Sequence, residues 1–296
     1  MKKRVDIQLV DVSARDGLQN EPGAAAISAE DKAEYILALV HAGLTRIEAG
    51  SFVHPKVAAM ANTDQVANQL KATQQAFPQV IFSYLVPNLR GLDRARTAEA
   101  REIAIFLALS EKFSKANINQ TVDESFQNIE PVIKEAIAAG MRVRGYLSNL
   151  FGYDDLPFTP EAVARRSKQL LDMGCFEVSL GDTTGIGKPE QVPPLIKALL
   201  AHDVPLSKVA MHFHDTFGSA IQNVEKAHEF GITTFDAATG GLGGCPYAGS
   251  PKGNLAMEDL VQWCWDNHLI CEVTDMDKLS RAGAFMLGKL GKKKAG

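Results

Sequence analysis

The segment His212-Phe213-His214 closes a short apolar run, Lys208–Phe213, whose residue types predict a β-strand. Side chains on a strand alternate faces, so the two imidazoles point the same way, about 6 to 7 Å apart along the chain. That spacing suits two ligands on one metal ion, and it also suits two polar core histidines bonded to their neighbours. Asp16 and Asn254, at the ends of other predicted strands, supply oxygen donors and tip the balance toward a metal. Two imidazoles, a carboxylate and an amide oxygen make a mixed set without thiolate. Such a set fits Mg²⁺ or Mn²⁺ with positions open to water or substrate better than a closed structural zinc.

Around these residues lie others able to act on a bound substrate. Arg15 precedes Asp16 and, if Asp16 binds the ion, faces any oxyanion that develops beside it. An exposed surface ion pair is the plainer alternative. Glu48 ends an apolar run, and a buried carboxylate needs a partner; it either orients Arg15 or caps the next loop. Cys245 sits in Gly240-Gly241-Leu242-Gly243-Gly244-Cys245-Pro246-Tyr247, where four glycines in five positions suggest a loop able to order over a ligand. Cys175, Cys264 and Cys271 lie in apolar surroundings and read as small core residues.

The scaffold that must position these groups follows from period and punctuation. Apolar or β-branched runs occur at Val5–Val12, Thr45–Ala49, Val80–Leu85, Glu102–Leu107, Arg142–Leu147, Phe176–Leu180, Lys208–Phe213 and Thr233–Ala237. Amphipathic stretches such as Ala29–Ala42, Val122–Ala139, Pro160–Met173, Pro189–His202 and Ser219–Phe230 alternate with them. Gly43, Gly140, Gly174 and Gly231 stand where helix C-caps are expected. Eight strands with eight crossovers predict an α/β fold, a (β/α)₈ TIM barrel with extra C-terminal helices. No strand is followed by G-x-G-x-x-G or a P-loop, which disfavours a nucleotide-binding open sheet. One catalytic domain over residues 1–296 is expected, with a helical region at about 255–290 and a solvated tail at 291–296. In such a barrel, reactive groups belong at the C-terminal strand ends, where the polar residues of this chain concentrate.

Composition narrows the partners. The 296 residues carry 31 basic and 35 acidic side chains, a net charge of −4, and give no electrostatic reason to expect nucleic acid or an anionic membrane. No apolar run reaches the roughly 18 residues of a membrane span. No targeting peptide is visible, and four cysteines without a C-x-x-C pair suit a reducing, cytoplasmic setting.

Several motifs together resemble 3-hydroxy-3-methylglutaryl-CoA lyases. They are Arg15-Asp-Gly-Leu-Gln-Asn-Glu21, Ile47-Glu48 with Ser51-Phe-Val-His-Pro-Lys56, Arg144-Gly-Tyr146, Ser179-Leu-Gly-Asp182-Thr183, His212-Phe-His214-Asp215 and Gly241-Leu-Gly-Gly-Cys245-Pro-Tyr247 with Gly253-Asn254. The resemblance runs from about residue 5 to about residue 290. The Arg-Asp-Gly start and the His-x-His strand are shared with isopropylmalate and homocitrate synthases and related metal-dependent aldolases; the glycine-rich cysteine loop together with Arg-Asp-Gly-Leu-Gln-Asn-Glu is much more specific to the lyase branch.

The resemblance implies a TIM barrel holding Mg²⁺ or Mn²⁺ through Asp16, His212, His214 and Asn254. It implies Arg15, Cys245, His212, Glu48 and Asp182 as catalytic groups, and Arg15, Gln19, Ser51, Ser179 and Thr183 as substrate contacts. The expected reaction is metal-dependent retro-Claisen cleavage of an acyl-CoA substrate, 3-hydroxy-3-methylglutaryl-CoA, to acetyl-CoA and acetoacetate, in a homodimer. A lyase for another acyl group, such as 3-hydroxy-3-isohexenylglutaryl-CoA, a condensing synthase and a silent metal-binding scaffold are the alternatives. The chain departs from the family pattern at Pro22, where lysine is frequent, at His54, at Asn149–Asp155 and at Thr239-Gly240. These departures bear on the acyl pocket more than on the chemistry.

Overall fold

The computed structural model describes residues 5–243 and 253–292. Eight parallel strands close into a barrel in sequence order: β1 (Gln8–Asp11), β2 (Arg46–Ser51), β3 (Ile81–Leu85), β4 (Glu102–Ala108), β5 (Arg142–Ser148), β6 (Glu177–Asp182), β7 (Val209–Phe213) and β8 (Thr234–Ala237). Around them run helices α1 (Ala29–Ala42), α2 (Thr63–Ala76), α3 (Leu89–Thr97), α4 (Glu111–Ile118), α5 (Val122–Ala138), α6 (Pro160–Asp172), α7 (Val192–Ala201) and α8 (Ala220–Glu229). Two more follow the last strand, α9 (Met257–Asp266) and α10 (Met276–Lys289). The expected TIM barrel with additional C-terminal helices is the observed fold.

The strands are buried almost throughout, as parallel strands covered by helices must be. Local signals set the helix ends. Ser28 accepts the Asp31 amide at the start of α1, and Thr121 and Glu124 form a reciprocal capping box on α5. Gly43 ends α1 at φ 111°, and a Cβ there would come within 2.6 Å of the Glu272 carbonyl oxygen. Glycine is therefore required twice over, by conformation and by space.

Two departures from the expected boundaries, and one bridge beyond the end of β7, affect the site. β2 does not stop at Glu48; its register with β3 shifts between Glu48 and Gly50 and the strand continues to Ser51. That irregularity leaves Glu48 inside the strand and fully buried. β1 begins at Gln8, because the Asp6 and Ile7 amides donate instead to the Ile270 carbonyl. β7 ends at Phe213, and His214 forms a separate backbone bridge with Asn254.

Candidate active site

At the C-terminal end of β1 the chain enters a single π-type turn, Ser13–Gly17, that carries Arg15 and Asp16. Such turns recur at functional sites because the extra residue re-aims side chains. Gly17 lets this turn approach the segment after β8, since a Cβ there would lie 3.0 Å from the Leu242 Cβ. The side chains of Asp16, His212 and His214 converge, with one donor atom from each lying within 4.8 Å of the others. The two histidine Nε2 atoms are 3.2 Å apart, closer than the strand spacing alone requires.

Asn254 completes the cluster. Its Nδ2 donates to Asp16 Oδ2 at 2.9 Å and to the Leu242 carbonyl at 3.1 Å, while its Oδ1 is buried without a partner. His214 Nδ1 is likewise buried and unpartnered. A buried acceptor left unmatched is costly, and here it lies beside three converging ligand atoms. The donor set therefore fits a divalent cation on the ground of the side chains themselves.

Electrostatics agree with a cation-ready site. Burial works to raise the Asp16 carboxyl, but Arg15 and the two histidines hold it down to about 2. Burial, with His212 alongside, pulls the His214 imidazole down to about 3, so it stays neutral and free to act as a ligand. Burial also opposes charge on His212, but Asp236, 3.3 Å from its Nδ1, outweighs it and shifts the ring upward.

Arg15 is only 4% exposed and is no surface ion pair. Its Nε donates to Glu48 Oε2 at 2.6 Å and its Nη1 to Asp16 Oδ1 at 2.7 Å. The guanidinium lies over the Tyr146 ring, 5.2 Å from its centre. Glu48 thus orients Arg15, the first of its two expected roles. A cavity of about 520 Å³ opens above this cluster, and Arg15, Asp16, Gln19, Thr183, His212 and His214 are among its lining residues.

Of the other expected site residues, Ser51, Ser179 and Asp182 are not among those lining the cavity. Ser179 is buried and donates to Asp236 Oδ2 at 2.7 Å, and the Ser51 hydroxyl lies 3.4 Å from the Leu85 carbonyl. Asp182 ends β6 and accepts the Gly187 amide at 3.0 Å; burial pushes its carboxyl up to about 7 against the amides of Gly185–Gly187. Thr183 Oγ1 accepts the Asn149 amide at 2.9 Å. Cys245 lies outside the described residues.

One functional neighbour escaped the sequence. Asp236, wholly buried on β8, receives Arg144 through both carboxylate oxygens, together with Ser179 and His212. Arg144 in turn binds Glu177 and the Tyr146 hydroxyl. A lone charge in the otherwise apolar run Thr233–Ala237 was the available signal.

Residues 6–285 match the protein family described as HMGL-like. The hydroxymethylglutaryl-CoA lyase of Pseudomonas mevalonii is 44% identical over 260 residues, 86% of this chain and 83% of that protein. The solved hydroxymethylglutaryl-CoA lyase of Pseudomonas aeruginosa superimposes with a TM-score of 0.92 at 39% identity, covering 100% of this chain and 97% of the other. An HMG-CoA lyase from Acinetobacter baumannii, solved with coenzyme A and 3-methylmalate, gives a TM-score of 0.88 at 31% identity over 97% and 92% of the two chains.

Proposed function

The chain belongs to the HMGL-like family, and from that premise we propose that it cleaves 3-hydroxy-3-methylglutaryl-CoA to acetyl-CoA and acetoacetate. It is a carbon–carbon lyase. The observation that carries the reading is the convergence of Asp16, His212 and His214 beneath the cavity, beside the unpartnered Asn254 Oδ1. A scaffold has no need of Arg15 anchored on Glu48 at the same point. The longer isohexenyl substrate is not favoured, because the relatives named for their activity are hydroxymethylglutaryl-CoA lyases.

Asp16, His212, His214 and Asn254 would hold a divalent ion, which when bound supplies Lewis acidity that lowers the pKa of a tertiary alcohol. Mg²⁺ or Mn²⁺ suits a set of two imidazoles and two oxygens. Asp16 and His212 both line the cavity and are placed to take the proton of the substrate C3 hydroxyl. As C3 becomes a ketone, the C2–C3 bond breaks and its electron pair passes to the thioester oxygen. Arg15 faces that oxygen: Nε and Nη1 are committed to carboxylates, which leaves the Nη2 hydrogens for the developing enolate. Glu48 and Tyr146 keep the guanidinium from swinging away. Cys245 then protonates C2 to give the methyl of acetyl-CoA, and the proton taken from the hydroxyl returns to the thiolate, which closes the balance. A homodimer in a reducing, cytoplasmic compartment completes the proposal, resting on the family and on the cysteine pattern.

The test is a coupled assay on protein stripped of metal and then titrated with Mg²⁺ or Mn²⁺. Acetoacetate and acetyl-CoA should appear in equal amounts only with metal present. Full turnover after exhaustive chelation, or faster cleavage of the isohexenyl ester, would overturn the reading.

A further inference from the structure

A second tie, apart from the metal ligands, joins the turn after β1 to the segment after β8. Its centre is Asp11, the last residue of β1, wholly buried together with Ser13, Tyr35 and Thr239. Asp11 Oδ1 accepts the Ser13 amide at 2.9 Å and also the Ser13 hydroxyl. Its Oδ2 accepts the Thr239 amide at 3.1 Å and the Thr239 hydroxyl at 2.6 Å. The Tyr35 hydroxyl, reaching in from α1, donates to Ser13 Oγ at 2.7 Å and lies 3.4 Å from the Thr239 carbonyl oxygen. Each carboxylate oxygen of Asp11 thus serves one of the two segments.

Ser13 opens the turn that carries Arg15 and Asp16. Thr239 opens the run Thr239-Gly240-Gly241-Leu242-Gly243, which leads in sequence to Cys245. Gly240, Gly241 and Gly243 have φ of 74°, 60° and 99°. Such a run has little stiffness of its own, so what holds its two ends sets its path. At the far end the Gly243 amide donates to Glu21, its carbonyl accepts the Asn254 amide, and the Leu242 carbonyl accepts Asn254 Nδ2. At the near end Thr239 is clamped on Asp11, and the Gly240 amide donates to Glu258 at 2.9 Å. Only the far end is shared with the metal set. Asp16 and Asn254 are bonded to each other directly, so loosening the near end leaves those ligands together.

Resting on the lyase reading above, with Cys245 as the group that protonates C2, we propose that Thr239 is a positioning residue for that proton transfer. Its hydroxyl, clamped on Asp11, fixes where the glycine run leaves the barrel relative to the turn that carries Arg15. A valine has the same shape and would keep the backbone bond to Asp11. It would lose only the hydroxyl, leaving an oxygen of a buried carboxylate one donor short. Thr239-Gly240 is also one of the stretches where the sequence departs from the lyase pattern.

The experiment compares Thr239→Val and Thr239→Ser with the wild type, each loaded with Mn²⁺. Loss of one hydrogen bond to a carboxylate, expressed in the transition state, predicts a kcat for Thr239→Val lower by roughly tenfold, and by at least about fivefold. KM for the coenzyme A ester and Mn²⁺ affinity should stay within about twofold of wild type. Thr239→Ser keeps the hydroxyl and should recover kcat to within about twofold. Exchange of the acetyl-CoA methyl protons with deuterated water isolates proton transfer at C2, and in Thr239→Val it should fall by the same factor as kcat. A fall in kcat smaller than about fivefold, a loss that Thr239→Ser shares, unchanged exchange, or a KM or Mn²⁺ affinity that moves as far as kcat would each overturn the inference while the lyase reading stands. No cleavage by the wild type overturns the lyase reading itself. Thermal melts establish that each variant is folded at the assay temperature. If Thr239→Val is not, Tyr35→Phe, which removes the hydroxyl bracing Ser13 and Thr239 from α1, is held to the same kcat, KM and Mn²⁺ criteria.

Discussion

Asn254 Nδ2 donates to Asp16 Oδ2 at 2.9 Å, joining the turn after the first strand to a residue 238 positions later. The same side chain carries a buried Oδ1 with no partner, and its backbone bridges that of His214. One amide therefore both orients a carboxylate and offers an oxygen, so its removal costs two functions at once.

Asn254→Ala is expected to weaken Mn²⁺ binding by at least about tenfold, the lower end of what loss of a ligand-orienting group costs. Helical content should be unchanged, because the His214–Asn254 bridge is made by backbone. Titration of metal-free protein followed by electron paramagnetic resonance measures this directly. Unaltered affinity would remove Asn254 from the ligand set.

Arg15→Lys keeps a positive charge but cannot bind Glu48 and Asp16 and still present a free fork. Turnover should fall by about 10² to 10³, the cost of one preorganised oxyanion donor. Metal affinity should move far less. Steady-state kinetics paired with a metal titration separates the two effects, and a kcat near the wild-type value would refute the role given to Arg15.

Arg144 is a structural counterpart to Arg15, 1% exposed and bound to Asp236 and Glu177. Arg144→Met leaves Asp236 buried without its guanidinium, while Glu177 keeps Arg46 at 2.7 Å; breaking a buried pair costs about 3 to 5 kcal/mol. Urea unfolding should register that loss. His212 should also lose orientation, since Asp236 would no longer be held in place. A midpoint within error of wild type would show that the network relaxes around the gap.

Lys32, 4% exposed on α1, donates to the Ala59 carbonyl and to Asn62 Oδ1 at 2.7 Å, both neutral acceptors. Burial lowers its ammonium to about 8, below the unfolded value of about 10.4. The unfolded chain therefore binds more protons between about pH 8 and 10.4, and stability relative to a Lys32→Met variant should rise across that window. The full penalty, at most about 3 kcal/mol, is present below pH 8. Thermal melts of both proteins at pH 7.5 and 9.5 check the sign, and a gap that widens in favour of Lys32→Met at high pH contradicts it.

The sequence by itself determined the alternation of strands and helices, because hydrophobic period and glycine C-caps are local properties of the chain. It also determined the metal-binding candidates: His212 and His214 share a strand face by pleat geometry, and a barrel gathers its strand ends at one rim. Tertiary structure alone decided what those ends do to one another. That Glu48 holds Arg15 depends on a register shift between β2 and β3, and inter-strand register leaves no local mark. That Asp236 sits behind His212 depends on β7 lying beside β8, and that Ser51 and Ser179 are turned to other partners depends on which face each strand presents. The wall of the cavity is assembled from the turn after β1, which carries Gln19 and Asn20, and from the stretch 88–128, which carries Asn88, Asn117 and Asn128. No spacing along the chain could reveal it, because only closure of the barrel makes those residues neighbours.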